Sequence, residues 1–238
     1  MAPHPLQGSA EMANASVPLD RMDGEPASAG NTPLRRDLRL IADLVTDGAR
    51  VLDIGCGDGA LLGYLTETKE ADARGIELSQ AGVKDCLGRG LSVVQGDAEK
   101  DLHLYPDHSF DYIILSQTIQ AMLQPHDVLN EMLRIGRFGI VSFTNYAHWR
   151  ARWHLLRGRM PRTAAAAEPW YASPNIRPCT LEDFELLCAE LGVHVERRIC
   201  LTRHGQVSRL ASRKWFDNVL SEQALFVLSR RADAGAGA

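Results

Sequence analysis

Three glycines in five residues, Gly55, Gly57 and Gly59, interrupt the chain where a short apolar run, residues 50–54, gives way to a helical pattern beginning at Ala60. Glycine accepts positive φ without steric cost and lets a ligand lie against bare main chain, so such a cluster marks a tight, open turn. A lone glycine triplet is often only a turn. Placed between a buried strand and a helix, it is the opening unit of a sheet with parallel strands and crossover helices.

The remainder of the chain keeps that alternation. Thr32 and Pro33 suit the start of a first helix carrying Leu34, Leu38, Ile41 and Val45 at helical spacing, stopped by Gly48. After the glycine turn come a helix over 60–69, a strand over 74–77, a helix over 80–87 and a strand over 91–94. A strand over 110–115 then leads into a helix with Pro125 in its first turn and Val128, Leu129, Met132 and Leu133 on one face, and a fifth strand over 138–143 follows. Strands that are nearly continuously apolar and separated by helices imply parallel pairing with helices on both faces, an α/β doubly wound, mostly parallel sheet. The carboxyl half changes pattern. Thr180 caps a helix with Asp183 three residues on, and Phe184, Leu187, Cys188 and Leu191 form its buried side up to Gly192. Two further runs, 193–200 and 224–228, are separated by a polar stretch read as a loop or irregular turn, and they predict a closing pair of strands with at least one antiparallel at the sheet edge.

Residues 1–33 hold five of the eleven prolines among Ala, Gly and Ser, and with residues 231–238 they have too few large apolar side chains to offset ordering entropy. Both read as disordered tails, leaving one folded domain over residues 34–230. The chain carries 26 Lys and Arg against 30 Asp and Glu, a formal charge of −4, which argues against a general nucleic-acid binder. Five cysteines form no Cys-x-x-Cys pair and show no metal-ligand spacing, as expected of reduced thiols in a cytoplasmic protein with neither zinc nor disulfide framework. The amino terminus lacks the features of a secretory signal, and no apolar run approaches the roughly 20 residues needed to cross a bilayer.

The glycine turn is bordered by acids. Asp53 and Asp58 flank the glycines, and Glu77 lies 22 positions after Gly55 at the tip of the second strand, where a carboxylate can accept from both ribose hydroxyls. Asp97 follows the third strand, where it is expected to reach an adenine amino group, although an aspartate so placed is more often a turn residue. Leu78, Ala98, Ser116 and Gln117 complete the expected pocket beside Cys56. Two cofactors compete for it. Gly55, Gly57 and Ala60 also satisfy the dinucleotide pattern, which keeps NAD in play, but a pyrophosphate would meet two carboxylates where it needs donors. S-adenosylmethionine has no phosphate and carries a sulfonium and an ammonium, so the electrostatics favour it, or its product S-adenosylhomocysteine.

Residues 53–59 resemble the acidic-x-Gly-x-Gly-x-Gly loop of class I S-adenosylmethionine-dependent methyltransferases, a Rossmann-like fold. Residues 51–62, 115–121 and 131–137 narrow the likeness to the MetW family of methionine-biosynthesis proteins. His148-Trp149-Arg150, Gly158-Arg159-Met160-Pro161, Trp170-Tyr171 and Pro174-Asn175-Ile176 extend it over nearly the whole domain. The resemblance implies association with a homoserine O-acyltransferase, whose activity such proteins support, and leaves a methyl-transfer reaction unassigned. An Asn/Asp-Pro-Pro-aromatic signature is missing after the fourth strand, which reads Ser116-Gln117-Thr118-Ile119-Gln120. No catalytic base stands out, His126 and His148 being ordinary loop histidines on sequence alone.

The insertion at about residues 144–179 is distinct in composition. Residues 144–163 carry Arg150, Arg152, Arg157, Arg159 and Arg162 with no acid, interleaved with Tyr146, Trp149 and Trp153 and followed by Trp170 and Tyr171. Three roles compete for it: a protein-docking surface over 144–171, a lid holding an anionic acceptor, or an internal helix covering the sheet. An accessory S-adenosylmethionine-binding protein is the leading expectation, and a methyltransferase acting on an anionic small molecule is the alternative.

Overall fold

The computed structural model describes residues 34–161, 170–202, 206–207 and 214–230. A helix α1 (Arg36–Leu44) precedes β1 (Arg50–Ile54), and the alternation continues through α2 (Ala60–Lys69), β2 (Asp72–Glu77), α3 (Gln80–Gly88) and β3 (Ser92–Gln95). A one-turn helix α4 (Ala98–Asp101) leads towards β4 (Phe110–Ser116), α5 (Pro125–Ile135) and β5 (Gly136–Thr144). The chain then forms α6 (Trp149–Leu156), α7 (Leu181–Glu190), β6 (Val193–Leu201), α8 (Lys214–Leu220) and β7 (Gln223–Arg230).

All seven strands form one sheet of order β3-β2-β1-β4-β5-β7-β6. β3 to β5 pair in parallel, whereas β7 runs antiparallel between β5 and β6. The order reverses between β1 and β4. Right-handed crossovers therefore place the helices on opposite faces to either side of that point, and the loops after β1 and β4 part to leave a crevice. Leu52 and Ile54 of β1 share one core cluster with Met132 of α5 and Phe184 of α7. Val51, Ile114 and Ile140 alternate with cluster-facing residues on their strands and are equally buried. Phe143, Phe184 and Phe226 meet at the centre of the cluster. Ring centroids lie 4.8 Å apart for Phe143–Phe184 and for Phe184–Phe226, while Phe143 and Phe226 stack at 5.7 Å.

Local signals explain several ends. Thr180 and Asp183 form a reciprocal capping box at α7, so both donors that open the helix are satisfied. Pro125 occupies the first turn of α5, where its missing N–H has no helical partner in any case.

Four expectations change. The polar stretch before β7, read as a loop, contains α8, whose inward Asp217 accepts from Arg198 at 2.6 Å. β3 is an edge strand with Val94 exposed, so its apolar character is not that of a buried strand. α1 opens at Arg36, and the expected cap and first-turn residues Thr32 and Pro33 lie outside the described residues. In α6 only Ala151 is buried, while Trp149 and Trp153 stay about half exposed, so α6 is a surface helix and not the buried internal helix that is one of the expectations for the insertion, of which residues 162–169 lie outside the described residues. The two expected tails, 1–33 and 231–238, and residue Arg162 also lie outside the described residues.

Candidate functional site

The loop from β1 to α2 holds Gly55, Gly57 and Gly59 at φ of +73°, +57° and +72°. Two of them are tied inward. A β-carbon at Gly55 would meet the Thr118 side chain at 2.9 Å, and one at Gly59 would meet Leu91 at 2.5 Å and Cys86 at 2.8 Å. At Gly57 nothing lies within 4 Å, so this glycine faces the open side of the turn. The Gly55 N–H donates to the Ile76 carbonyl at 2.8 Å, clamping the turn to the end of β2.

Glu77 closes the same clamp. Its Oε2 accepts from the Gly57 N–H at 2.9 Å and its Oε1 from the Ser79 N–H at 2.8 Å, so the carboxylate at the β2 tip organises both the glycine turn and the start of α3. Asp53, the last residue but one of β1, is 2 % exposed, and its Oδ1 has no hydrogen-bond partner. Burial first, and the neighbouring Glu77 charge second, push its carboxyl up from 3.8 to about 7. A buried carboxylate beside a second carboxylate has room in its electrostatics for a cation and none for a diphosphate.

A raised carboxyl pKa also sets the pH dependence of the ligand-free fold. Folding takes up a proton at Asp53 between the ordinary carboxylate range near 4 and about 7, so this contribution is fully present below that window and is lost as pH rises through it. The ligand-free protein is expected to resist urea better near pH 5 than near pH 8. Asp53→Asn is expected to flatten that slope, and an unchanged slope in the variant would assign the dependence to other groups.

Ser116 and Gln117 stand at the tip of β4, across from Gly55 through Thr118. Gln117 is held at φ +57°, a left-handed conformation costing a non-glycine residue about 1–2 kcal/mol. Its Oε1 accepts from the Thr144 hydroxyl at 3.1 Å, and its buried Nε2 has no partner. Strain together with an orphaned donor at the switch point suits a residue positioned for a ligand. Leu78 is exposed beside Glu77 and Ala98 is buried. Asp97 caps α4, its Oδ1 accepting from the Glu99 N–H at 3.1 Å, and its Oδ2 pairs with Lys100 at 2.8 Å. Those interactions hold its carboxyl below its ordinary pKa. Asp58 lies at the rim, accepting from the Ala60 N–H.

Cys56 is buried beneath the turn with its Sγ 3.9 Å from Cys86 Sγ, and Cys86 donates to the Gly57 carbonyl at 3.4 Å. The contributions of Cys86 and Ser79 to the turn, and of Thr118 and Thr144 to the β4 side, carry no sequence signal, because each depends on how α3 and β5 dock. His148 is buried after β5, and desolvation depresses its pKa. His126 sits at the surface 3.9 Å from Glu190, outside the crevice residues. Among the described residues, no group of three or more His, Cys, Asp and Glu could hold a metal ion, and no helix is long and apolar enough to cross a membrane.

Strand order, switch-point loop and acid positions define the class I S-adenosylmethionine-dependent methyltransferase fold. A methyltransferase from Archaeoglobus fulgidus superposes with a TM-score of 0.60 at 17 % identity, covering 82 % of this chain and 91 % of that one. The [4+2]-cyclase SpnF reaches 0.60 at 17 % over 93 % and 95 %, so the shared architecture does not by itself settle the reaction. The family is narrower. Residues 35–228 match the model of methionine biosynthesis protein MetW, and the chain belongs to that family. The bifunctional methionine biosynthesis protein MetXA/MetW of Rhodopirellula baltica is 33 % identical over 184 residues, 73 % of this chain but 30 % of that protein. A phthiotriol/phenolphthiotriol dimycocerosates methyltransferase of Mycobacterium tuberculosis is 33 % identical over 123 residues, 48 % of this chain and 45 % of the relative. The chain thus spans less than half the length of both relatives.

Proposed function

We propose that this chain binds S-adenosylmethionine or S-adenosylhomocysteine at the switch point and supports or regulates a homoserine O-acyltransferase of methionine biosynthesis in the cytoplasm. The observation that carries this reading is the MetXA/MetW relative, in which a region like this chain shares one polypeptide with a second methionine-biosynthesis function. Two fused functions commonly work as partners when separate. The ligand half of the reading rests on the orphaned Asp53 oxygen beside Glu77 and on the open approach to Gly57.

Each residue then has a role. Asp53 and Asp58 supply negative potential to the cationic methionyl end, Gly55, Gly57 and Gly59 give main-chain access, and Cys56 packs the turn from below. Glu77 exchanges its Gly57 and Ser79 donors for ribose hydroxyls, with Leu78 and Ala98 against the adenine and Ser116 and Gln117 along the β4 side. Asp97 accepts from the adenine amino group at the start of α4, beside the exposed Lys100. The cofactor supplies an activated methyl group whether or not the protein transfers it. Because it derives from the pathway's end product, its binding gives a sensing logic: a ligand that prefers the docked or the free form shifts that equilibrium by its difference in affinity. The docking segment in this reading is residues 144–171.

The test is acyltransferase turnover measured with and without this chain, at zero and saturating S-adenosylmethionine. Turnover is expected to depend on the chain, and the cofactor to modulate that dependence. Identical turnover in all four conditions would end the accessory role. The strained Gln117 with its unpaired amide favours a second reading, a methyltransferase acting on an anionic small molecule. It requires S-adenosylhomocysteine to accumulate when the protein is incubated with cofactor and cell metabolites.

A further inference from the structure

The large apolar side chains that the fold leaves in solvent are concentrated in two places, α6 with the residues that follow it, and α8. Trp149 and Trp153 stand four apart on α6, one turn of the helix, with Leu156 and Met160 exposed beyond them. Arg150 lies over the Trp149 ring at 5.2 Å and Arg157 over Trp153 at 4.5 Å, so each indole is held beside a guanidinium. On α8, Trp215 and Phe216 meet edge to face at 5.1 Å, and Trp215 is 63 % exposed.

These helices are far apart in sequence but are tied together by one buried residue. Asn145, immediately after β5, donates through Nδ2 to the Asn218 carbonyl at 2.7 Å and the Ser221 carbonyl at 2.8 Å, so it holds the end of α8. Its Oδ1 accepts from the Ala147 N–H at 3.0 Å, and the Ala147 carbonyl accepts from Arg152 of α6 at 2.7 Å. Thr144 of β5 pairs with Gln223 of β7 at the same edge of the sheet. A buried amide with every polar atom engaged fixes the two helix ends relative to each other. It therefore brings the end of α8 and the start of the segment leading into α6 together at the edge of the sheet where β5 ends and β7 begins.

We infer that α6 and α8 form one composite docking platform, and that its occupant is the homoserine acyltransferase through an acidic face with apolar recesses. This inference rests on the accessory reading above and adds α8, which lies outside the segment 144–171. The local charge selects the partner's chemistry: residues 144–161 carry four arginines and no acid, in a chain whose net charge is −4. A local positive stripe on an acidic protein pairs best with an acidic surface, and Trp and Arg are the residues that dominate protein interfaces once water is excluded. Exposed apolar residues elsewhere, such as Leu87 on α3 and Leu186 on α7, lie outside both helices and serve as controls.

The experiment is biolayer interferometry between the full chain and the acyltransferase encoded in the same genome, across a salt series, with each variant checked for unchanged circular dichroism and melting. Trp153→Ala and Trp215→Ala are each expected to weaken binding by about tenfold or more. Arg150→Glu with Arg157→Glu is expected to weaken it similarly and to flatten its salt dependence. Leu186→Ser is expected to bind as the unaltered chain. No binding by the unaltered chain overturns the accessory reading itself. Binding that survives every platform substitution overturns the platform alone, and binding lost with Trp153→Ala but kept with Trp215→Ala overturns its composite nature.

Discussion

Gly57→Val is expected to reduce S-adenosylmethionine affinity by about 100-fold or more, a loss of roughly 3 kcal/mol of binding, while the protein stays folded. Two separate effects lead there. Gly57 sits at φ +57°, where a β-branched residue costs about 1–2 kcal/mol of stability. An added β-carbon would meet nothing within 4 Å beyond its chain neighbours, so a side chain there projects into the space where a ligand would lie over the turn. The Gly57 N–H also holds Glu77 at 2.9 Å, and a turn displaced by the new side chain would misplace the acid meant for the ribose. Isothermal titration with the cofactor reads the affinity, and thermal melting without it reads the fold. Gly88→Ala is the matched control: Gly88 ends α3 without positive φ and with free space, so affinity should hold and stability rise by up to about 1 kcal/mol. Unchanged affinity in Gly57→Val would show that the cofactor crevice lies elsewhere.

The largest stability effect is expected at Phe226. Its ring is fully buried between Phe143 at 5.7 Å and Phe184 at 4.8 Å, joining β7, β5 and α7 in a single aromatic contact. Phe226→Ala should destabilise the protein by about 3–5 kcal/mol, because the removed ring leaves a cavity that a sheet pinned on both sides cannot close. That is a large part of the 5–15 kcal/mol available to a domain. Urea denaturation measures it, and Trp215→Ala provides the contrast, since an exposed ring should cost no more than about 0.5 kcal/mol. A loss below about 1 kcal/mol at Phe226 would mean that the carboxyl-terminal strand pair is not integral to the core.

Much of the candidate site is local and so was readable in advance. Strand β1, helix α2 and the loop between them fall where the apolar run, the glycines and the helical spacing put them, because each depends on neighbours within a few residues. The capping box of Thr180 and Asp183 is legible for the same reason. At Asp97 two local signals coincide: its place at the end of β3 fits an adenine contact, and the helical turn that follows makes it the cap of that turn as well. α8 was not expected because its helical spacing, Trp215 with Val219 and Phe216 with Leu220, lasts only seven residues within a polar stretch, too short a run for that period to separate a helix from a loop.

From the order of residues alone come the parallel α/β architecture, the acid-bordered glycine turn and the aromatic, arginine-rich insertion. All three are matters of composition and short-range spacing, which the chain carries whether folded or not. Tertiary structure decided the rest: the unpartnered oxygen of Asp53, the strained Gln117 braced by Thr144, and the anchoring of the end of α8 to Asn145 after β5. Each joins groups 24 or more positions apart or depends on what closes over them, and burial, strain and long-range hydrogen bonds arise only once the sheet has brought those segments together.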